Sequence, residues 1–187
     1  SNVFTLSTPR LTPRTTMGAG SFVELVENSA PDHGVAPTAE HDPAVLLYSS
    51  GTTGQPKGIP LSHRNIASNA TSLSQAWQFS SDDILIHALP MFHAHGLFIS
   101  LGCTLMTGSQ LIYLSSFSVD EVLSYFSQAT VMMGVPTYYT RLLSDSKLTP
   151  ASCNSIRLFV SGSAPLRADS FLEFQQRTCL LYTSDAA

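Results

Sequence analysis

The sequence predicts an α/β fold with a mostly parallel sheet and flanking helices, and two observations support it. Short apolar runs alternate along the chain with longer segments of helical periodicity, an order typical of parallel sheets covered by helices. Loops rich in small residues follow several of these runs, as expected where ligands bind beyond the carboxyl ends of strands. The predicted strands span 44–48, 84–88, 110–114, 130–133 and 157–161.

Helix signals fall between these strands. Ser62 is a candidate N-cap for a helix that runs to about Trp77. A second helix is expected after Ser118, which has capping-box spacing to Glu121. A third is expected over 136–143, because proline suits the first turn of a helix. Apolar residues of the second helix are spaced to share one face, namely Val119, Val122, Leu123 and Phe126.

The composition indicates a globular domain with few charges. Hydrophobic residues make up 43% of the 187 residues and the mean hydropathy is +0.13, values that exclude a disordered chain. Charged residues make up 12%, against about 25% in a typical soluble domain. We therefore expect a piece of a larger fold whose uncharged faces are covered by other segments.

Charge, cysteine content and hydropathy exclude further classes of protein. A net charge of -4 without a cluster of lysine and arginine argues against nucleic-acid binding. The cysteines are widely spaced and lack a C-x-x-C pattern, which is typical of reduced thiols. The most apolar region, 96–106, is too short to span a membrane, and the N-terminus carries no signal-peptide pattern. We expect a cytoplasmic protein, or a mitochondrial one in a eukaryote.

The segment 48–58, Tyr-Ser-Ser-Gly-Thr-Thr-Gly-Gln-Pro-Lys-Gly, predicts a loop that binds the phosphates of a nucleotide triphosphate. Its glycines allow backbone N–H groups to turn towards an anion, its hydroxyls add donors, and Lys57 adds a compact positive charge. A Walker A loop is excluded because Gly58 follows Lys57, and the dinucleotide pattern fails at Thr53. The alternative is an ordinary turn between two elements.

This string resembles the phosphate-binding loop of the adenylate-forming enzymes, the superfamily of acyl-CoA synthetases, luciferases and peptide-synthetase adenylation domains. The resemblance covers roughly residues 42–177 and implies ATP, Mg²⁺ and CoA as ligands, while no residue is assigned as a metal ligand. It implies a catalytic role for Lys57 in stabilising phosphate charge. The residues expected to bind the nucleotide phosphates are Ser49, Ser50, Gly51, Thr52, Thr53, Gly54 and Lys57.

The string 89–96, Leu-Pro-Met-Phe-His-Ala-His-Gly, follows a predicted strand and contains His93 and His95. Histidines two residues apart lie on one face of an extended segment, which is compatible with a metal site, but no third ligand is nearby in the sequence. The alternative is a pair of hydrogen-bonded histidines at a strand end. In the family that this chain resembles, the histidine of a Pro-Met-Phe-His motif lies beside the acyl group and the thiol tunnel. The resemblance therefore implies a catalytic His93 and substrate contacts from both histidines.

A second run of small residues follows the end of the last predicted strand, 157–161. It lies in the string 159–166, Phe-Val-Ser-Gly-Ser-Ala-Pro-Leu. Small side chains at 162–164 would let a flat ring approach the backbone, whereas the alternative is a plain turn with Pro165 at a helix start. In the family this loop lines the adenine and acyl pocket. The resemblance implies that Ser161 contacts the acid and that the nucleotide is contacted by Gly162, Ser163, Ala164 and Pro165.

Arg157 opens the apolar strand 157–161, where an arginine usually pairs with a carboxylate or extends to solvent. The strings around it, 134–143 and 156–165, resemble the malonyl-CoA synthetase branch of the family, as does 77–90. In that branch the arginine before Leu-Phe-Val-Ser-Gly holds the distal carboxylate of a dicarboxylic acid. Because a guanidinium suits bidentate binding of a carboxylate, the resemblance implies malonate or methylmalonate as the substrate.

These resemblances define the expected organisation and activity. Residues 1–41 are expected to form a surface lead-in segment, 42–178 part of an AMP-binding domain, and 179–187 a non-native tail, since the ending does not resemble the family. The parent protein is expected to make acyl-CoA from malonate or methylmalonate, ATP and CoA, and the truncated chain is expected to be inactive. The alternatives are a ligase for an aryl or medium-chain acid and a non-catalytic nucleotide-binding remnant.

Overall fold

The computed structural model describes residues 36–49, 56–178 and 182–183, together with Asn28, Ala30 and Gly34. The chain divides into two units, Ser1–Thr38 and Ala39–Ala187, and every strand and helix given below lies in the second. The helix expected within 21–27 lies outside the described residues. The predicted organisation into 1–41, 42–178 and 179–187 stays a prediction.

The centre of the second unit is a parallel sheet with the strand order β4-β3-β5-β6-β7. Its register places Leu85 opposite Leu111 on one side and Val131 on the other. The predicted α/β fold with a mostly parallel sheet is therefore confirmed, and four predicted strands lie in it. The strands are β3 (Ile84–His87), β4 (Gln110–Tyr113), β5 (Val131–Gly134), β6 (Leu158–Ser161) and β7 (Tyr182–Thr183).

The first predicted strand does not join this sheet. β1 (Pro43–Ser49) instead pairs antiparallel with β2 (Lys57–Ser62), a strand that the sequence analysis did not predict. A parallel pair needs a crossover of about a dozen residues or more, and only the segment 50–56 separates these two strands. The predicted phosphate loop therefore connects a hairpin and does not follow a strand of the parallel sheet.

The helices that accompany the strands in the described part of the chain match three of the predictions. Those expected from Ser62 to about Trp77, after Ser118, and over 136–143 are confirmed. The helical segments of the apolar region around 96–106 were not predicted. No helix within the described ranges is long and apolar enough to cross a membrane. The helical elements are α1 (His63–Ala76), a π-helix (His95–Ser100), α2 (Leu101–Thr107), α3 (Val119–Tyr125), α4 (Pro136–Leu143) and α5 (Ala168–Thr178).

The N-terminal caps of α1 and α3 differ. Ser62 Oγ accepts a hydrogen bond from the Asn65 amide at 3.2 Å, and the Asn65 side chain accepts one from the Ser62 amide at 3.0 Å, forming a capping box. Ser118 makes no side-chain cap bond, so the predicted box with Glu121 is wrong. The backbone carbonyl of Ser118 accepts from the Val122 amide instead, at 2.9 Å, and the helix forms without the box.

Alternate side chains of the strands pack into two hydrophobic clusters, one on each face of the sheet. Ile86, Met132 and Phe159 belong to the cluster covered by α3, α4 and α5. Burial on both faces explains why these strands read as continuous apolar runs in the sequence. The neighbouring positions of the same strands belong to the second cluster, with Cys103 of α2: Leu85, Val131, Met133, Leu158 and Val160.

Candidate active site

The connections after β3, β5 and β6 meet around one cavity of about 320 Å³ at the carboxyl ends of the strands. His93, His95 and Ser163, which were predicted to bind substrate or nucleotide, all line this cavity. The structure therefore brings together residues from two separate sequence motifs. The remaining lining residues are Leu89, Pro90, Ala94, Gly96 and Val135.

His95 is buried at this cavity and connects two of its loops. Its Nδ1 lies 3.0 Å from Ser163 Oγ, and the tautomer of the imidazole sets which of the two donates. Burial, with a smaller contribution from the charge of nearby His87, lowers the pKa of His95 to about 4. At neutral pH His95 is therefore an uncharged hydrogen-bonding group. These contacts agree with the alternative to a metal site, in which the histidine is a hydrogen-bonded residue near a strand end.

Ser163 has a backbone conformation that favours glycine. Its φ is 69°, in the left-handed region that residues with a side chain adopt rarely. A glycine would remove this strain but would also remove the hydroxyl that bonds His95. The structure thus combines an unfavourable backbone conformation with a polar contact inside the site, a combination that is concentrated at functional positions.

His93 differs from His95 in its exposure. Its side chain is exposed, and its ring centroid lies 4.6 Å from that of Phe92, which is also exposed. Among the described residues, no group of three or more His, Cys, Asp or Glu side chains is placed to hold a metal ion. The described part of the chain therefore supplies no third metal ligand beside His93 and His95.

Backbone contacts fold the connection after β3 back on itself. The His93 amide donates to the Pro90 carbonyl at 3.2 Å. A Cβ atom at Gly96 would lie only 2.4 Å from the same oxygen, so this close approach requires glycine. Tyr138 of α4 fixes the start of the connection, since its hydroxyl donates to the Ala88 carbonyl at 3.1 Å.

The connection after β6 begins as an extension of the sheet. The Gly162 amide donates to the Gly134 carbonyl at 3.0 Å, one residue beyond the end of β6. Ser161, predicted to contact the acid, is buried in the sheet opposite Gly134. Ala164 and Pro165 follow as exposed residues, and α5 begins only at Ala168. The nucleotide contacts expected of 162–165 stay predictions.

The predicted phosphate loop lies largely outside the described residues. Lys57 is the exposed first residue of β2 and pairs with Ser49 in the hairpin. Ser49 is described by its backbone alone. The phosphate-binding and catalytic roles of the loop stay predictions. Five of the predicted phosphate-binding residues lie outside the described part: Ser50, Gly51, Thr52, Thr53 and Gly54.

Arg157 lies at the amino ends of the strands, opposite the cavity. Its Nε and Nη2 donate to the two carboxylate oxygens of Asp83 at 2.7 and 2.6 Å. Nη1 and Nη2 also donate to the carbonyls of Trp77 and Gln78, at 3.0 and 3.1 Å. The described contacts of Arg157 are therefore an ion pair within the fold, away from the cavity, and binding of the distal carboxylate of the substrate stays a prediction that these contacts do not support. The reason is strand direction, because Arg157 precedes β6 and the site forms after it.

Two further polar residues near the site, His87 and Ser100, were not predicted from the sequence. His87 Nδ1 lies 2.6 Å from Ser100 Oγ, and both residues are fully buried. The signal was present in the alternation of β3, where His87 falls on the same face as Leu85 and so replaces an apolar side chain. Ser100 likewise interrupts the most apolar region of the chain.

The family follows from comparison with known proteins. The model of the AMP-binding enzyme family matches residues 7–184, and the chain belongs to that family. It is 40% identical over 139 residues to malonate–CoA ligase ACSF3, mitochondrial, of Mus musculus, covering 66% of this chain and 24% of that protein. It is 33% identical over 149 residues to feruloyl-CoA synthase of an Amycolatopsis species, covering 79% of this chain and 30% of that protein.

A solved structure has the same fold. The chain is 42% identical to ATP-bound MatB from Rhodopseudomonas palustris, with a TM-score of 0.81 over 90% of this chain and 34% of that one. The chain thus spans 24% to 34% of the length of these three relatives. The similarity to MatB confirms the fold that the sequence motifs predicted, which is the fold of an adenylate-forming enzyme.

Proposed function

We propose that the protein containing this chain is an ATP-dependent acid–thiol ligase that makes acyl-CoA, with malonate or methylmalonate as the acid. One observation carries the proposal: His93, His95 and Ser163 converge on one cavity in a chain that is 40% identical over 139 residues to a malonate–CoA ligase. The cavity volume of about 320 Å³ lies within the range of small-molecule sites, about 300–1,000 Å³.

The reaction would take place in two steps. The carboxylate of the acid attacks the α-phosphate of ATP, which gives an acyl-adenylate and releases pyrophosphate, and the CoA thiol then displaces AMP. His95 and Ser163 would orient the acyl group through uncharged hydrogen bonds, and the exposed His93 would contact it from the same cavity. Lys57 would stabilise charge on the phosphates. Mg²⁺ would enter with ATP, and no residue of this chain is assigned to it.

The identity of the acid is the finer part of the proposal. Arg157 was expected to select a dicarboxylic acid, but its guanidinium binds Asp83. The choice of malonate is therefore supported by the similarity to malonate–CoA ligase alone. Leu89, Pro90 and Val135 give the cavity a partly apolar lining, and the similarity to feruloyl-CoA synthase makes an aryl acid the second candidate.

The test is a substrate panel for the intact protein. Pyrophosphate release and the mass of the CoA thioester are measured with malonate, methylmalonate, ferulate and butyrate. We expect kcat/KM for malonate or methylmalonate to exceed that for the other acids by about tenfold or more, equivalent to about 1.4 kcal/mol of transition-state binding. A preference for ferulate would establish the second candidate, and no release with any acid would contradict the ligase proposal.

Two further expectations belong to this proposal. The 187-residue chain alone is proposed to be inactive, and thioester formation by that chain would contradict this. A cytoplasmic or mitochondrial location is proposed for the intact protein, and the mouse relative is itself named mitochondrial. Cell fractionation with an antibody against the chain would distinguish the two compartments.

A further inference from the structure

A buried hydrogen bond joins the two ends of the segment that carries the candidate site histidines. His87 is the last residue of β3, and Ser100 is the last residue of the π-helix. His87 Nδ1 and Ser100 Oγ lie 2.6 Å apart, and both residues are fully buried. The bond therefore closes the base of segment 88–99, which leaves the sheet after β3 and carries the cavity residues of that connection.

Other contacts of His87 are made by its backbone and by its ring. Its backbone carbonyl accepts a hydrogen bond from the Leu114 amide at 2.9 Å. Its imidazole stacks on Tyr113 of the neighbouring strand, with ring centroids 5.8 Å apart and planes 21° from parallel. Burial lowers the pKa of His87, so the ring is neutral at pH 7 and either donates to or accepts from Ser100.

The π-helix connects this bond to the cavity. Its first residue, His95, is bonded to Ser163, and its last residue, Ser100, is bonded to His87. Both ends of the element are thus held by side-chain hydrogen bonds. A displacement of Ser100 would displace His95, because one short helical segment of hydrogen-bonded backbone joins them. Single π-helical turns are also found frequently at functional sites.

We propose that His87 is a positioning residue, which places His95 at the cavity through its hydrogen bond to Ser100 and the π-helix. His87 does not line the cavity itself and acts through the element that carries His95. The kinetic consequence rests on the proposed ligase function, whereas the placement of His95 can be measured independently of activity.

Four variants of the intact protein separate this role from a general effect on folding. His87→Leu removes the ring nitrogen, and Ser100→Ala removes its partner. His87→Asn is the conservative variant, because its amide reaches the position of Nδ1 and can donate or accept. The control is Thr130→Val at the amino ends of the strands, which removes a part-buried hydrogen bond to Asp83 of 2.7 Å and another from the Ile84 amide of 2.9 Å.

The first measurement is the reaction of diethyl pyrocarbonate with His95 at pH 7, read by peptide mass spectrometry relative to the exposed His63 in the same sample. We expect His87→Leu and Ser100→Ala to raise the relative rate about tenfold, as for the loss of one buried hydrogen bond. His87→Asn and Thr130→Val should stay near the wild-type rate. An unchanged rate in His87→Leu, or an equal rise in Thr130→Val, would overturn the proposal.

The second measurement is steady-state kinetics with the preferred acid. His87→Leu and Ser100→Ala should each raise the KM for the acid about tenfold and leave the KM for ATP unchanged. The double variant should be no worse than either single variant, since both remove the same bond. A wild-type KM in His87→Leu would overturn the positioning role. A wild-type protein inactive on every acid would contradict the ligase proposal instead, and the labelling of His95 would still decide the placement.

Discussion

The two ends of the parallel strands use different chemistry. At the amino ends, Asp83, Thr130 and Arg157 form a network around one ion pair. The hydroxyl of Thr130 and the guanidinium of Arg157 both donate to the carboxylate of Asp83. At the carboxyl ends, His95 and Ser163 form a neutral hydrogen bond beside a cavity, with His93 exposed there. The charged network satisfies the hydrogen-bonding groups of its own residues, whereas the neutral cluster places polar groups beside an open cavity. A motif therefore has to be assigned to one end of a strand before its function is assigned.

The amino-end network is built around the buried carboxylate of Asp83. Its side chain is only 4% exposed, and it accepts hydrogen bonds from the guanidinium of Arg157, the Ser80 amide and the Thr130 hydroxyl. Burial by itself would raise the pKa of Asp83, but these hydrogen bonds and the charge of Arg157 together lower it. The network connects the starts of β3, β5 and β6, and so holds the three strands in register.

The largest effect is expected from Asp83→Ala, which removes the carboxylate to which both Arg157 and Thr130 donate. We expect a loss of about 2–3 kcal/mol in the free energy of unfolding, measured by urea denaturation. This is less than for a fully buried pair, because the Arg157 side chain is 38% exposed. Asp120→Ala is the control, since Asp120 pairs with Lys147 at 2.7 Å on the exposed surface. Equal losses of unfolding free energy in the two variants would show that the buried ion pair of Asp83 stabilises the fold no more than an exposed pair does.

Acid should weaken the carboxyl-end cluster before the amino-end network. His95 titrates near 6.5 when unfolded and at about 4 when folded, so its contribution is lost as pH falls through this window. The expected loss between pH 7 and pH 5 is about 2 kcal/mol, and the lowered pKa of His87 acts in the same direction. The pKa of Asp83 is lowered from 3.8, so its contribution to the free energy of unfolding is present above pH 3.8 and is lost only as the pH falls further.

Urea unfolding at pH 7, 5 and 3 checks this order. His95→Gln should remove most of the loss between pH 7 and 5, because glutamine does not titrate. Asp83→Asn should change mainly the response below pH 4. If His95→Gln keeps the wild-type slope between pH 7 and 5, the burial of a neutral His95 is wrong.

Gly96→Ala should disturb the carboxyl ends selectively. The new Cβ would lie 2.4 Å from the Pro90 carbonyl oxygen, so the backbone of the connection has to move. We expect a loss of about 1–2 kcal/mol in unfolding free energy and a higher KM for the acid. Gly102→Ala in α2 is the matched control, since its Cβ would meet Ala70 of α1 at an ordinary distance of 3.6 Å. That variant should be as stable as wild type or more stable, and a greater loss there than in Gly96→Ala would contradict the close-approach argument.

The smallest effect on substrate binding is expected from Arg157→Met. Because its guanidinium binds Asp83 away from the cavity, the variant should lose stability and keep the KM for malonate within about twofold of wild type. His95→Ala should raise that KM in the same assay. A rise for malonate but not for butyrate in Arg157→Met would restore the substrate-binding role that the strings around Arg157 first implied.

Local patterns in the sequence predicted much of the fold. Apolar runs predicted β3 to β6, and Ser62 and Pro136 predicted the starts of α1 and α4. These predictions succeeded because the periodicity of apolar residues and the capping of helices depend on residues that are close in the chain. The strings at 89–96 and 159–166 also predicted that His93, His95 and Ser163 follow strand ends, and the parallel order then brings those ends to one side.

Only the tertiary structure decided which distant groups meet. The ion pair of Arg157 with Asp83 and the bond of His87 to Ser100 join residues whose partners carry no local signal. Arg157 and Asp83 are 74 residues apart in the chain and meet because the amino ends of β3 and β6 lie on the same side of the sheet. Sequence determined that Arg157 needs a carboxylate, and strand direction determined that this carboxylate belongs to the protein.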